Sequence, residues 1–172
     1  AITANNIELS LEPGKVERLD IPRPKELDSA FNSLQQGAAA AAIPLLEKVA
    51  TDYLMLHWDM VATRHLADAY IKNNEPDKAI RVCEKVIGPN PEAAYLGEMA
   101  PAYWQALLKA GRATKAEELA SKAIKSGDRE ASALALTLRG DLIAASGETA
   151  ETTKKALRDG YLRVVTLYKN VK

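Results

Sequence analysis

The residues able to do chemistry in this 172-residue chain are few, and their spacing suits little of it. The two histidines, His57 and His65, stand eight apart, so they do not form the i, i+4 pair that holds a metal on one helix face. Asp59 lies near His57 and Asp68 near His65, but no cysteine or carboxylate cluster joins them at ligand spacing. The single cysteine, Cys83, can form no intrachain disulfide, and it falls within Ala79, Ile80, Cys83, Val86 and Ile87, a helical stripe in which it reads as a buried, inert small hydrophobe. The serines of "KSGD" (125–128) and "ASG" (145–147) precede helix-ending glycines and form no Gly-x-Ser-x-Gly elbow. No Gly-x-Gly-x-x-Gly and no phosphate loop is present. Glu117 and Glu118 are neighbours on an exposed helix face, whereas a glycosidase holds its two carboxylates apart across a cleft. The expectation is a chain that is not an enzyme and takes no metal and no cofactor.

Composition narrows the remaining classes. Lys and Arg number 23 and Asp and Glu 23, so net charge is zero and no general affinity for nucleic acid or an anionic membrane is expected. The last 22 residues hold six Lys/Arg against two acids, which reads as a solvated helix end. No apolar run is long enough to span a bilayer, and no signal peptide is visible. The first residue is Ala1 and not Met, so a soluble cytoplasmic chain and an extracytoplasmic one after leader removal both fit.

Two regions follow from patterning. Residues 1–24 read as a leader, and 25–172 as a helical domain. In the leader, Ile7, Leu9, Leu11, Leu19 and Ile21 alternate with polar residues around Glu12-Pro13-Gly14-Lys15. Pro then Gly suits a type II turn. A β-hairpin with strands near 6–11 and 15–21 is expected, to be packed on the helices, joined to another chain's sheet, or left disordered. From Lys25 the apolar period is helical. Eight amphipathic stretches follow, carried by stripes such as Leu45, Leu46, Val49 and Ala50, with Pro44 placed in the first turns of its helix. Leu134, Leu136, Leu138, Leu142 and Ile143 make the seventh, and the eighth runs from about Thr149 to Val171.

The stretches pair, and the pairs repeat. Gly37, Asn74, Gly111 and Gly147 close the odd helices at spacings of 37, 37 and 36. Gly and Asn tolerate the left-handed conformation that ends a helix. Five residues after each come Ala42, Ala79, Ala116 and Thr152, then four further on Leu46, Cys83, Ala120 and Ala156. A small residue at the first of these places lets the two helices of a pair approach closely. In the last pair Thr152 departs from that rule, and Ala156 in its place would mean a longer loop and a shifted register. Such a period signals a solenoid of helical hairpins.

With these residues in view, the chain resembles the tetratricopeptide repeat family. "LADAYIKNNEPDKAIRVCEKVIGPNP" matches best, through Leu66, Ala67, Tyr70, Ala79 and Pro91. "YWQALLKAGRATKAEELASKAI" matches through Tyr103, Leu107, Gly111, Ala116 and Ala123, and "GAAAAAIPLLEKVA" matches in its second helix. The spacing exceeds the family's usual period of about 34 residues, which places extra residues in loops such as "GPNPEAAYLG". The resemblance implies an all-α, right-handed α-solenoid of about four helix-turn-helix repeats behind the short β-hairpin or extended leader. It also implies a scaffold or adaptor that binds a protein or peptide on its concave face, with Arg64, Asp68, Ile71, Gln105, Leu108, Thr137 and Asp141 outward on the first helices. The family's carboxylate-clamp group grips a chaperone C-terminus with Lys, Arg and Asn. Here Arg64 matches, but Asp68 and Ala102 stand where Asn is expected, so that ligand is not implied.

Other readings keep a place. The chain could be a self-associating module, paired through its last helix or leader into a homo-oligomer, or a fragment of a longer repeat array. Of the two tryptophans, Trp104 is expected in the core, and Trp58, near a boundary between repeats, is half exposed and a candidate contact.

Overall fold

The computed structural model describes residues 2–4, 7–9, 21–54, 56–147 and 149–168. From Lys25 the described chain is helical. The helices are α1 (Lys25–Gln35), α2 (Ala39–Asp52), α3 (Trp58–Lys72), α4 (Pro76–Ile87), α5 (Ala100–Lys109), α6 (Ala113–Lys125) and α7 (Arg129–Ala145). A last, continuous helix runs as α8 (Ala150–Ala156), a π-helical turn (Leu157–Tyr161) and α9 (Leu162–Leu167). Each helix packs on the next, and the first helices of successive pairs also touch, α3 against α5 and α5 against α7. This is an α-solenoid of helix pairs.

The pair geometry follows from the small residues. Ala42, Ala79 and Ala116 are completely buried, as are Leu46, Cys83 and Ala120 one turn later. Small side chains there bring the helices of a pair together, and the larger Leu27, Ile80, Leu107 and Leu136 are buried around them. The ends are set locally. Gly37, Asn74 and Gly111 take positive φ, and the N–H of Ala38, Glu75 and Arg112 donates back to Ser33, Tyr70 and Leu107. Pro76 begins α4, where its missing N–H costs nothing. Asn90 caps the short 3₁₀ turn Pro91–Ala94 of the long loop, and the Trp104 indole donates to Ala94 O at 2.9 Å to hold that loop on α5. The Asp128 side chain caps α7 by accepting from Ala131 N.

Several expectations are corrected. Gly147 lies outside the left-handed region. There the Ser146 hydroxyl donates to Ile143 O and the Thr152 hydroxyl to Gly147 O, so side chains take up the helix-end carbonyls. Thr149 and Thr152 form a capping box, which spends Thr152 on the start of α8. Ala156, 2% exposed, takes the close-approach place instead, and the register of the last pair shifts by one turn. Pro44 is the sixth residue of α2, in its second turn and past the first four residues whose N–H groups lack a helical partner, because the alanine run starts the helix at Ala39. The apolar residues of α7 divide, and Leu134 faces outward. It is 41% exposed, while Leu136 is fully buried.

In the leader, Ile7–Leu9 is a strand, but its partner is upstream. It pairs antiparallel with Ile2–Ala4, in the register Ile2↔Leu9, Thr3↔Glu8, Ala4↔Ile7. The expected second strand near 15–21 and the Pro13-Gly14 turn lie outside the described residues, apart from Ile21, which is irregular.

Candidate functional site

The first helix of each pair turns one face away from its second helix. On that face a cavity of about 570 Å³ opens between α3, α5 and the start of α7. Helical spacing puts Arg64 and Asp68 one turn apart on α3, and Gln105 meets them from α5. Three of the seven residues expected at a binding face are thereby brought together. The cavity is also walled by Tyr95, Glu98, Asp128, Glu130 and Leu134. Four carboxylates (Asp68, Glu98, Asp128 and Glu130) thus face one guanidinium, Arg64. Burial raises the Asp68 carboxyl above its ordinary range, opposed by the charges of His65 and Arg64.

The other four expected residues lie elsewhere. Ile71 and Leu108 are half-buried and pack against the core. Thr137 is exposed, its hydroxyl donating to Ala133 O of its own helix. Asp141 accepts from the Tyr161 hydroxyl at 2.6 Å, so the last helix occupies it. That bond, with burial second, pushes the Tyr161 phenol up to about 12. Ala102, at the place of a clamp asparagine, is buried.

Sequence reasoning missed Leu134, although it shares a face with Thr137 at i, i+3. It was counted only among the apolar residues that mark the seventh helix. Asp128 was read only as the end of α6, yet a carboxylate just before a helical run is an N-cap signal. The tryptophans divide as expected. Trp104 is 2% exposed, while Trp58 is half-buried and donates its indole N–H to Ile21 O at 3.0 Å. His65 stacks edge-on against Phe31 with centroids 4.4 Å apart, and burial lowers its pKa. Cys83 is fully buried, and burial first, then the nearby Asp68 and Glu84, pushes its thiol up to about 12. At neutral pH that thiol is neither a nucleophile nor a ready metal ligand. Among the described residues no three His, Cys, Asp or Glu side chains converge as a metal site, and no helix is long and apolar enough to cross a membrane.

Between pairs, buried tyrosines are held by charged side chains. The Tyr70 hydroxyl of α3 donates to Glu47 of α2, and Lys78 of α4 lies over its ring at 5.5 Å. The Tyr103 hydroxyl of α5 donates to Glu84 of α4 at 2.9 Å, and Lys115 of α6 lies over that ring at 5.4 Å while pairing with Glu84. The contact recurs at two successive junctions and fixes the pitch between them.

No curated protein matches the chain. A family model described as Tetratricopeptide repeat matches residues 33–100, which hold the end of α1, all of α2, α3 and α4, and the loop up to α5. Over those residues the chain is similar to tetratricopeptide repeats, and the same helix pairing, with a left-handed closure at Gly111, continues beyond them.

Proposed function

We propose that the chain is a protein-interaction scaffold that holds a segment of a partner on the face shared by α3, α5 and α7, and that it performs no covalent chemistry. Tetratricopeptide repeats generally mediate protein–protein interactions. The observation that carries the reading for this chain is the cavity in which Arg64, Asp68 and Gln105 converge from two successive first helices. Its four carboxylates favour a segment bearing Lys or Arg, since complementary charge sets partner choice more than raw affinity. Leu134, 41% exposed, offers a large apolar anchor on that wall.

Peptide-display selection on the intact chain, followed by Arg64→Glu with Asp68→Lys, tests this. Selected ligands should be rich in Lys and Arg and should lose binding to the double variant. Helical content should stay unchanged, because exposed and half-exposed charges carry at most about 1 kcal/mol of stability. Ligands indifferent to the double change would move the site off this face.

One observation favours a second reading. The last helix exposes Leu162, Val165 and Leu167, between 53% and 64% exposed. An apolar face of that kind suits self-association. Sedimentation at micromolar concentration separates the two, and a monomer that still binds selected peptides retains the scaffold reading alone.

A further inference from the structure

A second and larger groove lies between α6, α7 and the last helix. Its volume is about 1030 Å³, and it shares no lining residue with the cavity on the α3–α5–α7 face. Its floor is apolar, formed by half-buried Leu142 and Ile143 of α7. One bank carries Lys122 and Lys125 of α6. The other carries Lys155 and Arg163 of the last helix. Three acids also line it, but two are already neutralised. Glu117 pairs with Arg139 at 2.6 Å, and Asp159 pairs with Arg158 at 2.7 Å. Among the described residues, Lys122, Lys125, Lys155 and Arg163 make no ion pair or side-chain hydrogen bond. The groove therefore offers an apolar floor between two cationic banks, and among the described residues that line it Glu118 is the one acid without an ion pair.

We propose that this groove docks an acidic amphipathic helix of a partner protein, its apolar stripe on Leu142 and Ile143 and its carboxylates on the two lysine banks. Size supports that occupant. Two turns of helix, about 11 Å long and about 10 Å across, fill roughly 850 Å³, which is of the order of the space present. Charge supports it as well. A small anion would engage the lysines and leave the floor uncovered, and an uncharged helix would cover the floor and leave Lys122 and Lys125 unmatched, with Lys155 and Arg163 sharing only Asp159. A helix with leucines at i, i+3, i+4 and i+7 and glutamates on both flanks meets both. The site is independent of the proposed binding face, so one chain would hold a basic segment on one side and an acidic helix on another.

The test uses the whole chain and three labelled peptides in fluorescence anisotropy: that designed acidic helix, its isomer with Lys for every Glu, and its isomer with Ser for every Leu. The first should bind about tenfold tighter or more than either isomer. Lys122→Glu with Lys155→Glu should weaken it about tenfold or more while the circular dichroism spectrum and melting curve stay as in the wild type. Arg64→Glu with Asp68→Lys, on the other face, should leave it unchanged, which separates failure here from failure of the scaffold reading. Absence of binding, equal binding of the leucine-free isomer, or indifference to the lysine reversals would each overturn the proposal.

Discussion

The junction between α4, α5 and α6 and the junction between α6, α7 and α8 occupy corresponding places one repeat apart, and they are built differently. At the first, the Tyr103 ring is 2% exposed and held between Glu84 and Lys115. At the second, Arg139 stands 36 residues later in the corresponding place. It folds back on Glu117 and on the Ser121 hydroxyl at 2.9 Å, and the groove beside it stays open. An aromatic ring closes one seam by filling it. A guanidinium at the other is satisfied by its own neighbours and fills little. The interior contact compensates in part. Gly140 of α7 and Gly160 of the π turn meet backbone to backbone, and a Cβ added at Gly160 would stand 2.6 Å from Gly140 Cα. One junction is sealed by a ring between charged partners; at the other, Gly160 comes against the backbone of α7 and the Tyr161 ring covers Gly140.

That contrast can be broken in order of expected effect. Tyr103→Ala should cost about 3–5 kcal/mol, the range for removing a buried aromatic ring, read as a lower melting temperature and faster amide exchange across both α4 and α6. A loss below about 1 kcal/mol would mean that the ring does not seal the seam. Gly160→Ala should cost less, up to about 2 kcal/mol. Helix propensity alone would favour alanine by about 1 kcal/mol, but overpacking against backbone that cannot yield costs about 1–3 kcal/mol or more. The loss should appear as exchange confined to 150–167. Gly147→Ala is the control, since its nearest neighbour outside the chain's adjacent residues is the Thr152 methyl at 3.9 Å. Smallest is Arg139→Leu. Its side chain is 21% exposed and its partner Glu117 42% exposed, and a pair so placed carries about 1 kcal/mol or less. A melt lowered as far as by Tyr103→Ala would make the two junctions equivalent after all.

What could be read from sequence followed from whether a residue acts by type or by what it meets. Ala79, Cys83 and Ala116 were legible because a small residue at fixed spacing in an apolar stripe has few roles other than close packing. Asn74 and Gly111 were legible because few residues accept positive φ. Gly147 misled for the same reason, since Ser146 and Thr152 supplied in side chains what a left-handed residue would have supplied in backbone. Gly140 and Gly160 carried no reading from sequence, because nothing in their spacing says that they meet each other. On the candidate face, the family resemblance implied Arg64, Asp68 and Gln105 as outward positions, and these three line one cavity. Asp141, implied with them, was not legible as occupied, because its occupant, Tyr161, comes from the following helix.

The Gly140–Gly160 contact bears on the cost of capture. Two helices held apart by side chains can slide as those side chains change rotamer. Two backbones in contact leave no such slack, so the bank that carries Lys155 and Arg163 stands at a set distance from the floor before any ligand arrives. Its lysines still have to order, but the walls do not. A guest helix would therefore forfeit only the freedom of its own chain and of a few flexible cations, and the affinity of the groove should depend more on the helical propensity of the guest than on any rearrangement of the host.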